Sequence, residues 1–122
     1  MSGPIATARA QAAAAIQKVT DLPVIASVPE RLEPPCVVIT EGTPLVEPSD
    51  TLMAGVVVRL TANVIEAPTD APLALERLDT HTDQIIDGLW AEWIPTVETY
   101  TTVTSADQQR YLASTITLTT TI

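Results

Sequence analysis

The stretch Gly55-Val56-Val57-Val58-Arg59-Leu60-Thr61-Ala62-Asn63-Val64-Ile65 decides the fold. Val56, Val58, Leu60, Ala62 and Val64 occupy every second position, and Val57, Arg59, Thr61, Asn63 and Ile65 fill the places between. A period of two is the period of an extended strand, whose side chains point alternately to opposite faces. The first set is wholly aliphatic and the second is mixed. The stretch therefore predicts a long strand with one face on the core and one face that is wetter or meets a partner.

Downstream, Thr69-Asp70 offers a cap ahead of Ala71-Pro72. A helix is expected from there to about Trp93, with Leu75, Leu78, Ile85, Ile86 and Leu89 as its apolar stripe and Pro95 as its stop. A hairpin follows: Thr96 to Thr104, a Ser105-Ala106-Asp107 turn, then Gln109 to Ile122. In its second strand Leu112, Ile116, Leu118 and Ile122 share one face. Tyr111, Ala113, Thr115, Thr117, Thr119 and Thr121 share the other, and threonine suits a half-wet strand surface.

Upstream, residues 41–54 hold Gly42, Pro44, Pro48, Ser49 and Asp50 with little periodicity and read as an acidic loop. Cys36 to Thr40 reads as a strand apolar on both faces, hence buried on both. Pro34-Pro35 marks a stiff, extended connection, and Val24 to Val28 a short strand stopped by Pro29. Residues 4–20 read as a helix capped by Ser2, with Pro4 in its first turn and Asp21 and Pro23 ending it. Ile5, Ala8, Ala12, Ile16 and Val19 form its apolar face. The order α-β-β-β-α-β-β predicts an α+β fold, an antiparallel or mixed sheet packed against two helices. Residues 1–122 suffice for one domain and contain neither a linker nor an internal repeat.

Hydrophobic residues make up 46% of the chain, yet phenylalanine is absent and the aromatics are Trp90, Trp93, Tyr100 and Tyr111 alone. The core must be aliphatic, and such side chains bury less area each than aromatic ones. Modest monomer stability follows, and association with copies of itself is one way to bury more. The net charge is −9, with Lys18 and five arginines against fifteen carboxylates. No basic stripe exists to displace counterions from phosphate or to hold an anionic membrane. No N-terminal signal and no apolar run of membrane-spanning length is visible, so a cytoplasmic product is expected.

Residues that carry chemistry are few. On a helix, His81 has Arg77, Leu78, Gln84 and Ile85 as its same-face neighbours, none of them a metal ligand or a carboxylate. Asp79 and Asp83 lie two residues away and point elsewhere. His81 is thus expected on the surface or a helix flank. Cys36 is a lone cysteine in an apolar strand, which rules out an intramolecular disulfide and suggests inert packing. No nucleophile elbow, P-loop or dinucleotide-binding glycine motif is present. No catalytic residue, metal ligand set or cofactor is indicated, and an enzyme is not expected.

Asp79, Asp83 and Asp87 recur every four residues with Glu76 beside them, a negative stripe along the second helix. Each such like-charge pair costs an isolated helix about 0.2–0.5 kcal/mol. The plain reading is a solvated face; the sharper one is a surface turned to a DNA channel or a basic partner. Trp90 and Trp93 are spaced for core packing, or, where exposed, for anchoring an interface.

Taken together, the segments resemble the tail terminator family of long-tailed, siphovirus-like bacteriophages in its actinobacteriophage form. The resemblance is carried by the N-terminal helix followed by Asp21-Leu22-Pro23-Val24, then Val28-Pro29 and Pro34-Pro35-Cys36-Val37-Val38-Ile39. It continues through Gly55-Val56-Val57-Val58-Arg59-Leu60-Thr61-Ala62, the helix from Pro72 to Leu89 with Leu78-Asp79, and Tyr111-Leu112-Ala113-Ser114-Thr115-Ile116. It covers nearly the whole chain as an arrangement, with no single chemical motif. It implies a virion structural protein, made in the host cytoplasm, that forms a homo-hexameric ring in the neck of the particle. Such a ring sits on the last ring of the major tail tube protein, ends tube polymerisation and offers a docking surface to the head-tail connector. DNA passes through its lumen without sequence-specific binding, and no cofactor is used.

An acidic ring suits a DNA path because like charge repels phosphate. The candidate oligomer-interface residues are Trp90, Trp93, Arg59, Val57, Ile65 and Tyr111. The candidate acidic lumen or partner-facing residues are Glu76, Asp79, Asp83, Asp87, Glu47 and Asp50. The long strand at 55–66, the terminal hairpin and the loop at 41–54 are the candidate surfaces between subunits, since edge strands offer free backbone groups to a neighbour. Two alternatives stand beside this reading: a head-tail stopper or adaptor of the phage neck, and a small oligomeric binding domain or enzyme subunit with an acidic pocket.

Overall fold

The structure is a computed structural model that describes residues 4–26, 34–48, 55–66, 71–89, 93–104 and 110–121. Its elements run α1 (Pro4–Val19), β1 (Val24–Ile25), β2 (Cys36–Pro48), β3 (Val56–Ile65), α2 (Ala71–Leu89), β4 (Ile94–Thr104) and β5 (Arg110–Thr121). This is the expected α+β order. The strands form one five-stranded sheet in the order β1-β2-β3-β5-β4. β1 runs parallel to β2, and every other pair is antiparallel.

The alternation in β3 sets the layers. Val58, Leu60, Ala62 and Val64 are fully buried, and the residues between Val57 and Asn63 on the other face are half-buried. Register carries the same parity to the neighbours: Val64 stands opposite Val37 and Ser114, Ala62 opposite Ile39 and Ile116, Leu60 opposite Leu118. Onto this face pack Ala8, Ala12 and Ile16 of α1 and Leu78, Ile85 and Leu89 of α2, closing one continuous core with Leu22 and Trp93. Both helices therefore lie on the same side of the sheet. A smaller cluster of Cys36, Val38, Ile65, Tyr111 and Ala113 occupies one end of the opposite face.

Where α2 meets α1, Gly88 is the point of closest approach. A Cβ placed there would lie 2.2 Å from Cγ1 of Val19. Gly42 has the same role in the sheet: its missing Cβ would stand 2.7 Å from Cβ of Arg59 and 2.8 Å from the Arg59 carbonyl oxygen.

Several expectations are corrected. Residues 41–48 are not loop: β2 continues to Pro48, with Val46, Glu47 and Pro48 pairing Val58, Val57 and Val56 across a bulge between Glu41 and Val46. Gly42 and Pro44 fall inside that irregularity, where a bulge tolerates them; residues 49–54 lie outside the described residues. β1 stops at Ile25, and the rest of the expected strand to Val28 lies partly in a bend at Ala26 and partly outside the described residues. Pro34 and Pro35 form a bend joined by a cis peptide, not an extended connector.

On α2, Leu75 is 45% exposed, while Ala74 and Thr82 take inner positions beside Leu78, Ile85 and Leu89. Successive helical residues turn by about 100°, and the row 74-78-82-85-89 leaves Leu75 on the rim. Ile5 of α1 is likewise exposed at 36%. Pro95 does not merely stop a helix but lies within β4. β4 is an edge strand, where a residue without an N–H costs no sheet bond. The helix is described to Leu89, and the Trp93 N–H donates to the Leu89 carbonyl at 2.9 Å.

Candidate functional site

The face of the sheet turned away from the helices gathers four of the six interface candidates. Val57, Arg59 and Ile65 alternate along β3, and Tyr111 lies at the matching end of β5. Only Val57 and Arg59 present surface, because Ile65 and Tyr111 are buried in the smaller cluster. Trp93 is 3% exposed and belongs to the main core, so it packs the monomer and offers no anchor to a neighbour. Trp90 lies outside the described residues.

Across the middle of this face runs a row of four threonines, one from each of four strands. Thr40 stands opposite Thr61, Thr61 opposite Thr117, and Thr117 opposite Thr96. Asn63 and Thr115 pair on one side of the row; Arg59, Thr119 and Ile94 align on the other. The Asn63 amide donates to the Val38 carbonyl and to Thr40 Oγ1, both at 3.0 Å, and so fastens β3 to β2 from this side. Ile94 is 64% exposed, the most open of the described large apolar side chains. Among the described residues the face carries one ion pair, between Arg59 and Glu47. Glu47 is thereby neutralised rather than left free for a lumen or partner.

The other acidic candidates do not join it. Glu76, Asp79, Asp83 and Asp87 are exposed along α2, in the helical layer on the far side of the sheet from Glu47. Asp79 accepts a hydrogen bond from the Tyr100 hydroxyl of β4 and is not simply solvated. Burial, and then this hydrogen bond to a carboxylate, raise the Tyr100 phenol above its ordinary value of 10.0. Asp50 lies outside the described residues.

His81 lies partly exposed on the flank of α2, as expected, but it has a carboxylate partner that its neighbours on the helix do not supply. Its Nδ1 lies 3.0 Å from Oε2 of Glu66, whose side chain is 2% exposed. The partner comes from the end of β3, held there by the Glu66 N–H donating to the Leu112 carbonyl at 3.0 Å. The ring nitrogen and the carboxylate oxygen share one hydrogen bond. The signal was present in the sequence: the even positions of the deciding strand are interior, and the next even position after Val64 is Glu66. His81, between Leu78 and Ile85, lies beside the same interior.

Chemically, this pair orients an imidazole. Among the described residues no hydroxyl or thiol hydrogen-bonds to His81, and no group of three or more His, Cys, Asp or Glu is placed to hold a metal. Cys36 is buried in the strand, as expected.

An open groove of about 530 Å³ lies along α1, lined by Gln11, Ala14, Ala15, Lys18, Trp93 and Thr120. The sequence reading did not find it, because Trp93 and Thr120 reach it only through the tertiary fold. Among the described residues, no helix is long and apolar enough to cross a membrane.

No protein-family model matches this chain, and no curated protein matches it. The site therefore has to be read from its own geometry.

Proposed function

We propose that this chain is a structural subunit of a phage neck, a tail terminator that assembles into a ring at the head-proximal end of the tail tube. In this reading the ring ends tube polymerisation, offers the head-tail connector a docking surface and lets DNA pass through its lumen. It acts by shape, without turnover. The observation that carries the proposal is the one-sided sheet. Helices cover one face, while the other leaves Val57, Arg59, Ile94 and the threonine row exposed or half-exposed in a single copy. A domain with an aliphatic core and a broad, half-apolar open face is the kind of subunit whose neighbours complete it. The net charge of −9 supports the DNA path, since among the described residues the open face carries no cation but an arginine already paired.

The test is to incubate the purified protein with growing tail tubes and image the ends. Rings capping the tubes, with tube length arrested, are the expected outcome. A strict monomer that leaves tube growth unchanged sinks the proposal. Binding to the connector but not to the tube assigns the stopper or adaptor role instead.

A further inference from the structure

The groove along α1 and the acidic ridge of α2 are complementary. Lys18 is the chain's one lysine, exposed in the last turn of α1, and it makes no salt bridge with a described residue. It lines a concavity together with Gln11, Ala14, Ala15, Thr120 and the largely buried Trp93. Two other exposed cations, Arg77 and Arg110, also lack a described salt bridge, but neither lines the groove. The ridge is opposite in sign: Asp83 and Asp87 are exposed one helical turn apart, with Asp79 and Glu76 continuing the row. No described cation forms a salt bridge with Asp83 or Asp87.

The geometry points to a head-to-tail contact in which the α2 ridge of one copy seats in the Lys18 groove of the next. The occupant is a second copy because this chain carries both halves, on different helices. Most of its remaining surface charge is negative and repels another copy. Asp83 or Asp87 meets Lys18, while the helix body covers Ala14 and Ala15. Contacts between two different patches do not close in pairs; they propagate around a ring or along a filament. This inference rests on the ring reading and supplies one of its interfaces.

The experiment is a charge swap read by sedimentation velocity and mass photometry, with wild type, Lys18→Glu, Asp83→Lys combined with Asp87→Lys, and all three changes together. Lys18 and both aspartates are exposed, and a thermal melt of each variant serves as the check on folding. Wild type is expected to form a discrete ring. Each half-swap is expected to weaken association about tenfold or more, since attraction becomes like-charge repulsion. The full swap is expected to restore the ring. A wild-type ring that persists in both half-swaps overturns this contact while leaving the ring reading standing. Loss in the half-swaps without rescue by the full swap also overturns the contact. A wild type that stays monomeric at every concentration overturns the ring reading and this contact together.

Discussion

Glu66 has to be held as a charge, or as a hydrogen-bonded acid, with almost no water. The imidazole of His81 is its described side-chain partner, at 3.0 Å. Replacing His81 with alanine strips that partner from a buried group, a loss on the order of 1–3 kcal/mol. Urea unfolding of His81→Ala should show a lower midpoint at unchanged slope, with Glu66→Gln losing less because an amide still bonds the ring. An unchanged midpoint in His81→Ala would mean that water replaces the imidazole at no cost. Tyr100 supplies a second residue-scale test. Its phenol is raised above 10.0 by burial and by Asp79, so the folded protein holds this proton more tightly than the unfolded chain does. The resulting stability is whole below pH 10.0 and is lost as the pH climbs from there through the folded value. Stability measured across that alkaline window should fall less steeply in Tyr100→Phe than in wild type; parallel curves would show that the phenol is not linked to folding.

At the scale of elements, the two helices meet through an absence. A glycine inside a helix normally costs about 1 kcal/mol against alanine. At Gly88 the added methyl runs into Val19. Gly88→Ala is therefore expected to lower the melting temperature instead of raising it, and Val19→Ala in the same chain to recover part of the loss; a simple gain from Gly88→Ala would mean that the helices separate freely. Trp93→Ala, which empties a core site, should cost about 3–5 kcal/mol in unfolding experiments whether or not copies associate. Elements that bury a repeating face were legible from the sequence: β3 from its alternation, α1 from Ala8, Ala12 and Ile16, and β5 from Ile116 and Leu118. The second half of β2 was not, because it is strand by virtue of β3 alongside it, and Gly42 and Pro44 favour no strand on their own. Pro95 misled for a similar reason, since only its place on an edge makes it acceptable there. Of the candidate surface, Val57 and Arg59 were legible as the other face of β3. The ion pair of Arg59 with Glu47 and the threonine row were not, because both depend on register across strands far apart in sequence.

For the molecule as a whole, a negatively charged body carries one broad face with a single described ion pair, internally neutralised. If copies or the tube meet that face, Ile94→Asp should abolish assembly. Monomer stability should stay within about 0.5 kcal/mol, since the side chain is 64% exposed. Assembly that survives this change would show that the face looks into solvent. The strand order has a further consequence for how the molecule comes into being. β5 lies between β3 and β4, so β4 has no described neighbour in the sheet without it. During synthesis, β3 and both helices can leave the ribosome while half the sheet still waits for residues 110–121 to emerge. Until then the edge of β3 that pairs with β5 keeps its backbone N–H and carbonyl groups open.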